Sequence, residues 1–197
     1  MAKSSGVRRT VGNYLAQPVV RFLARTSITP SIITWFGFLL AVGAAALIVT
    51  GHLFAAGFVV LFAGFFDMLD GALARYTNQT TCFGAVLDSI LDRLSEAVLL
   101  VGILLYVLYV SDQSSVAVLL VFLALFGSLL VSYIRARAEA LDLECQVGLF
   151  TRAERVIVLA LGLWLNQIVI ALAIIVVFSF FTFGQRLIYV WQQTRMR

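Results

Sequence analysis

The chain has 197 residues, of which 62% are hydrophobic and only 12% are charged, and its mean hydropathy is +1.03. A soluble domain is about half apolar, so this composition excludes a soluble globule and indicates a membrane protein. Two cysteines and one histidine form no disulfide framework and no zinc, copper or haem cluster, so any metal here must be bound by oxygen ligands. The net charge of +4 does not indicate a nucleic-acid partner, because basic residues in a membrane chain act as topology signals.

The first 28 residues lack the continuous apolar core of a signal peptide, so we expect a juxtamembrane segment instead. Apolar side chains recur there at helical spacing, and Arg21 and Arg25 lie off that stripe. The stripe consists of Tyr14, Leu15, Val19, Phe22 and Leu23. This pattern predicts an amphipathic helix lying on the cytoplasmic membrane interface, and a solvated leader is the alternative.

Six segments are long and apolar enough to be membrane spans, which need about 20 residues. They cover residues 32–50, 53–75, 84–110, 115–138, 151–166 and 168–190. The predicted fold is therefore all-α and integral to the membrane. It has six transmembrane helices preceded by the N-terminal interfacial helix, and residues 1–197 form a single domain.

The basic residues are distributed on one side only. All fourteen lie in the termini or beside the second and fourth loops, whereas the loops around residues 51–52, 111–115 and 166–167 carry no Lys or Arg. The positive-inside rule then places both termini in the cytoplasm. We expect a multi-pass protein of the cell membrane whose chemistry faces the cytosol.

Four aspartates form the most informative pattern in the chain. Asp67 and Asp70 are three residues apart, and Asp88 and Asp92 are four apart, so each pair projects from one face of its helix. The two helices are consecutive and joined by a short loop, which makes them antiparallel neighbours. The four carboxylates are therefore expected to converge near the cytoplasmic boundary.

Four converging carboxylates need counter-charge, since ionised groups in a membrane span are costly. Two divalent cations carry a charge of +4, which balances the −4 of the four aspartates. Carboxylates are also the oxygen ligands that Mg²⁺, Mn²⁺ or Ca²⁺ prefer. We predict a site for two Mg²⁺ ions, with Mn²⁺ as an alternative. A solvated helix face is the competing interpretation, but the flanking residues are apolar. The position near the headgroups favours lipid chemistry over divalent-cation transport, which uses sites near the midplane.

The string D-x2-D-G-x2-A-R-x8-G-x3-D-x3-D, from Asp67 to Asp92, resembles the signature of the CDP-alcohol phosphotransferase family. The resemblance implies that a CDP-linked lipid loses CMP while its phosphate passes to a hydroxyl acceptor, and that the protein is a homodimer. By similarity, Asp67 and Asp88 bridge both metals, Asp70 binds the first, and Asp92 binds the second and takes the acceptor's proton. The residues expected by similarity to contact the CDP-lipid are Ser31, Ile32, Ile33, Thr34, Gly71, Arg75 and Thr81.

A second resemblance concerns the acceptor. Residues 133–140 and 148–155 are similar to stretches of bacterial phosphatidylinositol phosphate synthases, which join inositol phosphate to CDP-diacylglycerol. Thr151 and Glu154 have the spacing of a capping box, which begins the fifth span and directs its N-terminus toward the cytoplasmic cavity. The basic side chains that we expect to bind the acceptor's phosphate are Arg135, Arg155 and Arg186.

The sequence therefore predicts an enzyme, a CDP-alcohol phosphatidyltransferase. It is expected to move a phosphatidyl group from CDP-diacylglycerol to inositol phosphate and to release CMP. Four alternatives stay open at this point: the arginines only anchor helix ends, the acceptor is glycerol 3-phosphate, the protein is another CDP-alcohol phosphotransferase, or the protein transports divalent cations.

Overall fold

The computed structural model of the chain describes residues 19–21, 23–25, 29–111, 115–143, 145 and 147–195. Within these ranges the regular structure is helical throughout, so the all-α prediction is confirmed. The six helices are α1 (Pro30–Val49), α2 (Leu53–Tyr76), α3 (Cys82–Tyr109), α4 (Ser115–Glu139), α5 (Arg152–Trp164) and α6 (Ile168–Arg195).

Most of the predicted N-terminal interfacial helix lies outside the described residues. Residues 19–21 and 23 are helical. Val20 is buried in a small apolar cluster with Ile33 of α1 and with Leu69 and Leu73 of α2. These few residues therefore pack on α1 and α2 next to the aspartates.

The helices begin where local chemistry favours it. Pro30 is the first residue of α1, a position at which its missing N–H costs no hydrogen bond. The side chain of Thr81 caps α3 by accepting the Gly84 N–H at 2.9 Å. The capping box predicted at the start of α5 is present, and the backbone N–H of Thr151 donates to Glu154 at 2.7 Å. The starts of α3 and α5 are thus determined by residues next to the aspartates and arginines of interest.

By length and composition, α1, α2, α4 and α6 are able to cross a membrane. Many large apolar side chains point away from the bundle, including Phe58, Leu119 and Val177, which are 53%, 58% and 64% exposed. Such a surface suits lipid rather than water, so the protein is a membrane protein. The helix α3 carries charged residues along its first half, and α5 has only 13 residues.

The helices pack through small residues. α1 lies against α2 and α3, α5 against α2 and α6, and α4 against α3 and α6. At the contact of α3 with α1, a Cβ on Gly102 would lie 3.0 Å from the Cα of Ala45, so only glycine allows this approach. This packing fixes the position of α2, α3 and α5, which carry the acidic and basic side chains described below.

Candidate metal and substrate site

Three of the four predicted aspartates meet between α2 and α3. Asp67, Asp88 and Asp92 each offer a carboxylate oxygen, and these oxygens all lie within 4.8 Å of one another. All three side chains are partly buried. The helical spacing therefore predicted their convergence correctly, and their close approach requires a positive counter-charge.

Asp70 lies outside this trio and is almost fully buried, at 3% exposure. One of its oxygens, Oδ1, accepts the Gly71 N–H at 2.5 Å, whereas Oδ2 is buried and has no hydrogen-bond partner within the described part of the chain. A buried oxygen without a partner is costly, and a hard cation is the partner that carboxylates favour. The three clustered carboxylate oxygens and the free oxygen of Asp70 are of the type that a divalent metal site uses.

Arg152, which the sequence did not single out, lies directly in the carboxylate cluster. It is the first residue of α5, and its Nη1 donates to Asp67 and, at 2.6 Å, to Asp92. The three side chains are 23%, 27% and 26% exposed. The guanidinium thus supplies one positive charge to the cluster and joins α5 to α2 and α3.

The predicted CDP-lipid contacts lie on the first turns of α1, the end of α2 and the start of α3. Thr34 is buried and donates to the Pro30 carbonyl at 3.1 Å, whereas Ser31 is only partly buried. An ideal Cβ on Gly71 would lie 3.3 Å from Nη1 of Arg75, so the glycine makes room for the arginine.

The remaining predicted CDP contacts have structural contacts of their own. Thr81 caps α3, and Ile33 packs against the aspartate-bearing end of α2, whereas Ile32 is exposed. At Gly84, an added Cβ would lie 2.9 Å from Oγ1 of Thr81. Gly84 therefore accommodates the helix cap.

Two of the three predicted acceptor arginines are buried. Arg155 is 4% exposed and forms a bidentate pair with Glu96 of α3, with distances of 2.5 and 2.9 Å. Arg186 is 5% exposed and donates to the carbonyls of Val147 and Val131 at 2.8 and 2.6 Å. Both arginines are thus paired inside the protein, one with a carboxylate and the other with backbone carbonyls.

The third arginine, Arg135, is exposed and pairs with Glu139 on the same helix at 2.8 Å. Burial raises the pKa of the Cys145 thiol, and the charges of Arg186 and Arg135 nearby act in the opposite direction. Arg135 and Arg186 therefore both lie near Cys145.

Glu96 is the other residue whose role the sequence did not reveal. It follows Asp92 by one helical turn, and both Arg93 and more distant basic residues were available to it. The structure pairs it with Arg155, while Arg93 donates to the Ser89 carbonyl. Asp67, Glu96, Arg152 and Arg155 line one cavity between α2, α3 and α5.

The fold is thus an all-helical membrane bundle in which clustered aspartates lie beside buried arginines. The chain belongs to the CDP-alcohol phosphatidyltransferase family, whose family model matches residues 27–184. The predicted family and enzyme class are thereby confirmed.

Several relatives with named activities are similar to this chain over most of its length. The archaetidylinositol phosphate synthase of Methanothermobacter thermautotrophicus is 37% identical, over 91% of this chain and 94% of that protein. The phosphatidylinositol phosphate synthase of Mycobacterium marinum is 36% identical, over 97% of this chain and 86% of that protein. The crystal structure of the Mycobacterium tuberculosis phosphatidylinositol phosphate synthase with CDP-DAG bound has a TM-score of 0.81 and 35% identity, and covers 90% of this chain and 94% of that chain. The same mycobacterial enzyme has also been solved in complex with manganese and citrate, with a TM-score of 0.81, covering 89% of this chain and 88% of that chain.

Proposed function

We propose that this protein transfers the phosphatidyl group of CDP-diacylglycerol to inositol phosphate, releasing CMP and forming phosphatidylinositol phosphate. The observation that carries the proposal is the cavity shared by an aspartate of the carboxylate cluster, Asp67, and a buried arginine, Arg155. A nucleotide-linked donor at the carboxylates and a phosphate-bearing acceptor at the arginines would meet there. The CDP-DAG bound in the mycobacterial crystal structure supports the donor, and the names of the phosphatidylinositol phosphate synthases support the product.

The protein's setting is part of the proposal. We infer six membrane crossings, with α3 and α5 added to the four apolar helices, and a single domain over residues 1–197. The one-sided distribution of Lys and Arg supports cytoplasmic termini and a cytoplasmic active site in the cell membrane. The family resemblance supports a homodimer.

The four aspartates are proposed to hold two Mg²⁺ ions, with Mn²⁺ as a substitute. The manganese complex of the mycobacterial enzyme and the partnerless oxygen of Asp70 support this assignment. Bound divalent cations supply charge neutralisation of the donor's pyrophosphate and of the charge that develops on departing CMP.

The chain's own residues position the reactants. The CDP moiety is held by Gly71, Arg75, Thr81 and the first turn of α1 (31–34). The acceptor phosphate is held by Arg135, Arg155 and Arg186. The acceptor hydroxyl oxygen forms a bond to the phosphorus of the phosphatidyl group while the bond from that phosphorus to CMP breaks. Asp92 accepts the hydroxyl proton, and the alignment of the two substrates supplies much of the rate enhancement.

The test uses purified full-length protein in mixed micelles with CDP-diacylglycerol and Mg²⁺. Inositol phosphate, free inositol and glycerol 3-phosphate are offered separately, and CMP release and product mass are recorded. We expect strong turnover with inositol phosphate, weak turnover with inositol, and loss of activity with a chelator.

Two outcomes would contradict the proposal in different ways. Efficient use of glycerol 3-phosphate without use of inositol phosphate refutes the acceptor and leaves the reaction class intact. Uptake of divalent cation into proteoliposomes without CMP formation from any acceptor refutes the enzyme function.

A further inference from the structure

The buried pair of Glu96 and Arg155 fixes an arginine beside the carboxylate cluster. Oε1 of Glu96 accepts from Nε of Arg155 at 2.5 Å, and Oε2 accepts from Nη2 at 2.9 Å. The two side chains are 14% and 4% exposed. Because both contacts lie in the plane of the guanidinium, they determine its orientation as well as its position.

Glu96 also lies close to a third helix, because the buried Ser128 of α4 is near its carboxylate. Glu96 lies one turn after Asp92 on α3, and its arginine lies in the first turn of α5. The Glu96–Arg155 pair thus connects α3 to α5 and sets the spacing between Arg155 and the helix that carries Asp88 and Asp92.

The third nitrogen of Arg155 is unpaired among the residues that the structure describes. Nη1 is buried and makes no hydrogen bond to any of them, although the other two nitrogens are paired. Arg155, Glu96 and Asp67 line the same cavity. A buried charged donor without an acceptor is costly, so this N–H group is matched to a ligand that brings an acceptor oxygen.

We propose that Glu96 is a positioning residue for the acceptor: it orients Arg155 so that the free Nη1 binds a phosphate oxygen of the acceptor beside the carboxylate cluster. This inference rests on the proposed function, which supplies an acceptor carrying a phosphate. Glu96 contacts no reacting atom in this scheme. It acts only through Arg155, and it fixes the distance from the acceptor phosphate to the carboxylates.

The test is the Glu96→Gln variant, which keeps the shape of the side chain and one acceptor oxygen. We expect the KM for inositol phosphate to rise at least tenfold, because the guanidinium loses its charged, two-point support. The KM for CDP-diacylglycerol and kcat should change less than about twofold. The control is Asp142→Asn, the same chemical change on an exposed loop residue with a φ of 54°, which asparagine tolerates.

A double-mutant cycle distinguishes positioning from a general structural effect. In the Arg155→Gln background, Glu96→Gln should cause no further rise in the KM for the acceptor, because the residue through which it acts is gone. Independent, multiplicative effects of the two changes would overturn the proposal. An unchanged acceptor KM in Glu96→Gln, or an equal loss in both KM values, would do the same.

A second variant covers the case in which Glu96→Gln does not fold. Glu96→Asp keeps the charge on a shorter side chain and should fold, with an acceptor KM between those of the wild type and a neutral variant. Thermal unfolding in detergent is recorded for each variant. A folded Glu96→Asp with wild-type acceptor KM would contradict the proposed role.

The acceptor panel on the wild type separates this inference from the proposed function. If the wild type uses a phosphorylated acceptor other than inositol phosphate, the proposed function fails, and the Glu96 variants are measured with that acceptor. If inositol phosphate is the acceptor and its KM does not respond to Glu96, only the present inference fails. A wild type that uses only a neutral polyol overturns both.

Discussion

Replacement of Arg152 by glutamine should tighten metal binding and lower the thermal stability of the metal-free protein. In the wild type the guanidinium donates to Asp67 and Asp92, so an incoming cation has to displace both hydrogen bonds. In Arg152→Gln the carboxylates keep their mutual repulsion but lose this positive charge. A divalent cation then gains more free energy on binding, because no arginine competes with it.

The expected magnitude follows from the geometry. Opposite charges about 4 Å apart attract by about 4 kcal/mol at an effective dielectric constant of about 20, before desolvation is subtracted. Breaking a fully buried ion pair costs about 3–5 kcal/mol. The side chains here are about a quarter exposed, so we expect the loss of Arg152 to remove about 2 kcal/mol of favourable interaction with the carboxylates. That corresponds to a roughly 30-fold lower Kd for the cation, and to a fall of about 5 °C in the Tm of the metal-free protein.

The assay is Mn²⁺ titration followed by electron paramagnetic resonance, together with thermal unfolding in detergent with chelator and with Mg²⁺. Arg195→Gln is the control, because Arg195 lies over the ring of Trp191 near the end of α6 and away from the aspartates. We expect the increase in Tm on adding Mg²⁺ to be larger in Arg152→Gln than in the wild type. If the variant binds Mn²⁺ no more tightly than the wild type, Arg152 does not compete for the carboxylates and the reasoning is wrong.

Three further predictions concern other parts of the site and fold. Asp88→Asn should lower kcat by at least about 100-fold, because it removes one ligand charge from the cluster. The assay is CMP release at saturating substrates, and near wild-type turnover would exclude a ligand role for Asp88. Thr81→Ala should destabilise the protein by about 1 kcal/mol through loss of the α3 cap, as measured by chemical unfolding, whereas the exposed Thr194→Ala should have little effect. Gly102→Val should prevent close packing of α3 on α1 and lower Tm by several degrees; an unchanged Tm would show that the helices separate at little cost.

Local and periodic features were predictable from the sequence. The convergence of Asp67, Asp88 and Asp92 follows from helical spacing and a short loop, and the capping box at Thr151 follows from residues only three apart. Both patterns depend on geometry within one or two neighbouring elements. The helix boundaries were predicted to within a few residues for the same reason.

Contacts between distant segments were not predictable in this way. Arg152 reaches Asp67 and Asp92 across 85 and 60 residues of chain, and Arg155 reaches Glu96 across 59. Nothing in the pattern of a single helix shows which of several basic residues will meet a given carboxylate. The packing of α5 against α2 decides that choice, and this packing depends on the whole bundle.

The shortness of α5 determines the level at which its first residue meets α2. Thirteen residues rise about 20 Å, whereas bilayer hydrocarbon is about 30 Å thick. The far ends of α5 and α2 are level, because Nε1 of Trp164 donates to the Phe54 carbonyl at 3.2 Å. From that common level, Asp67 and the start of α5 both lie about 20 Å along their helices. A helix one turn longer or shorter would move Arg152 about 5 Å along its axis and away from Asp67 and Asp92, so the length of α5 is what lets its first residue meet the carboxylates.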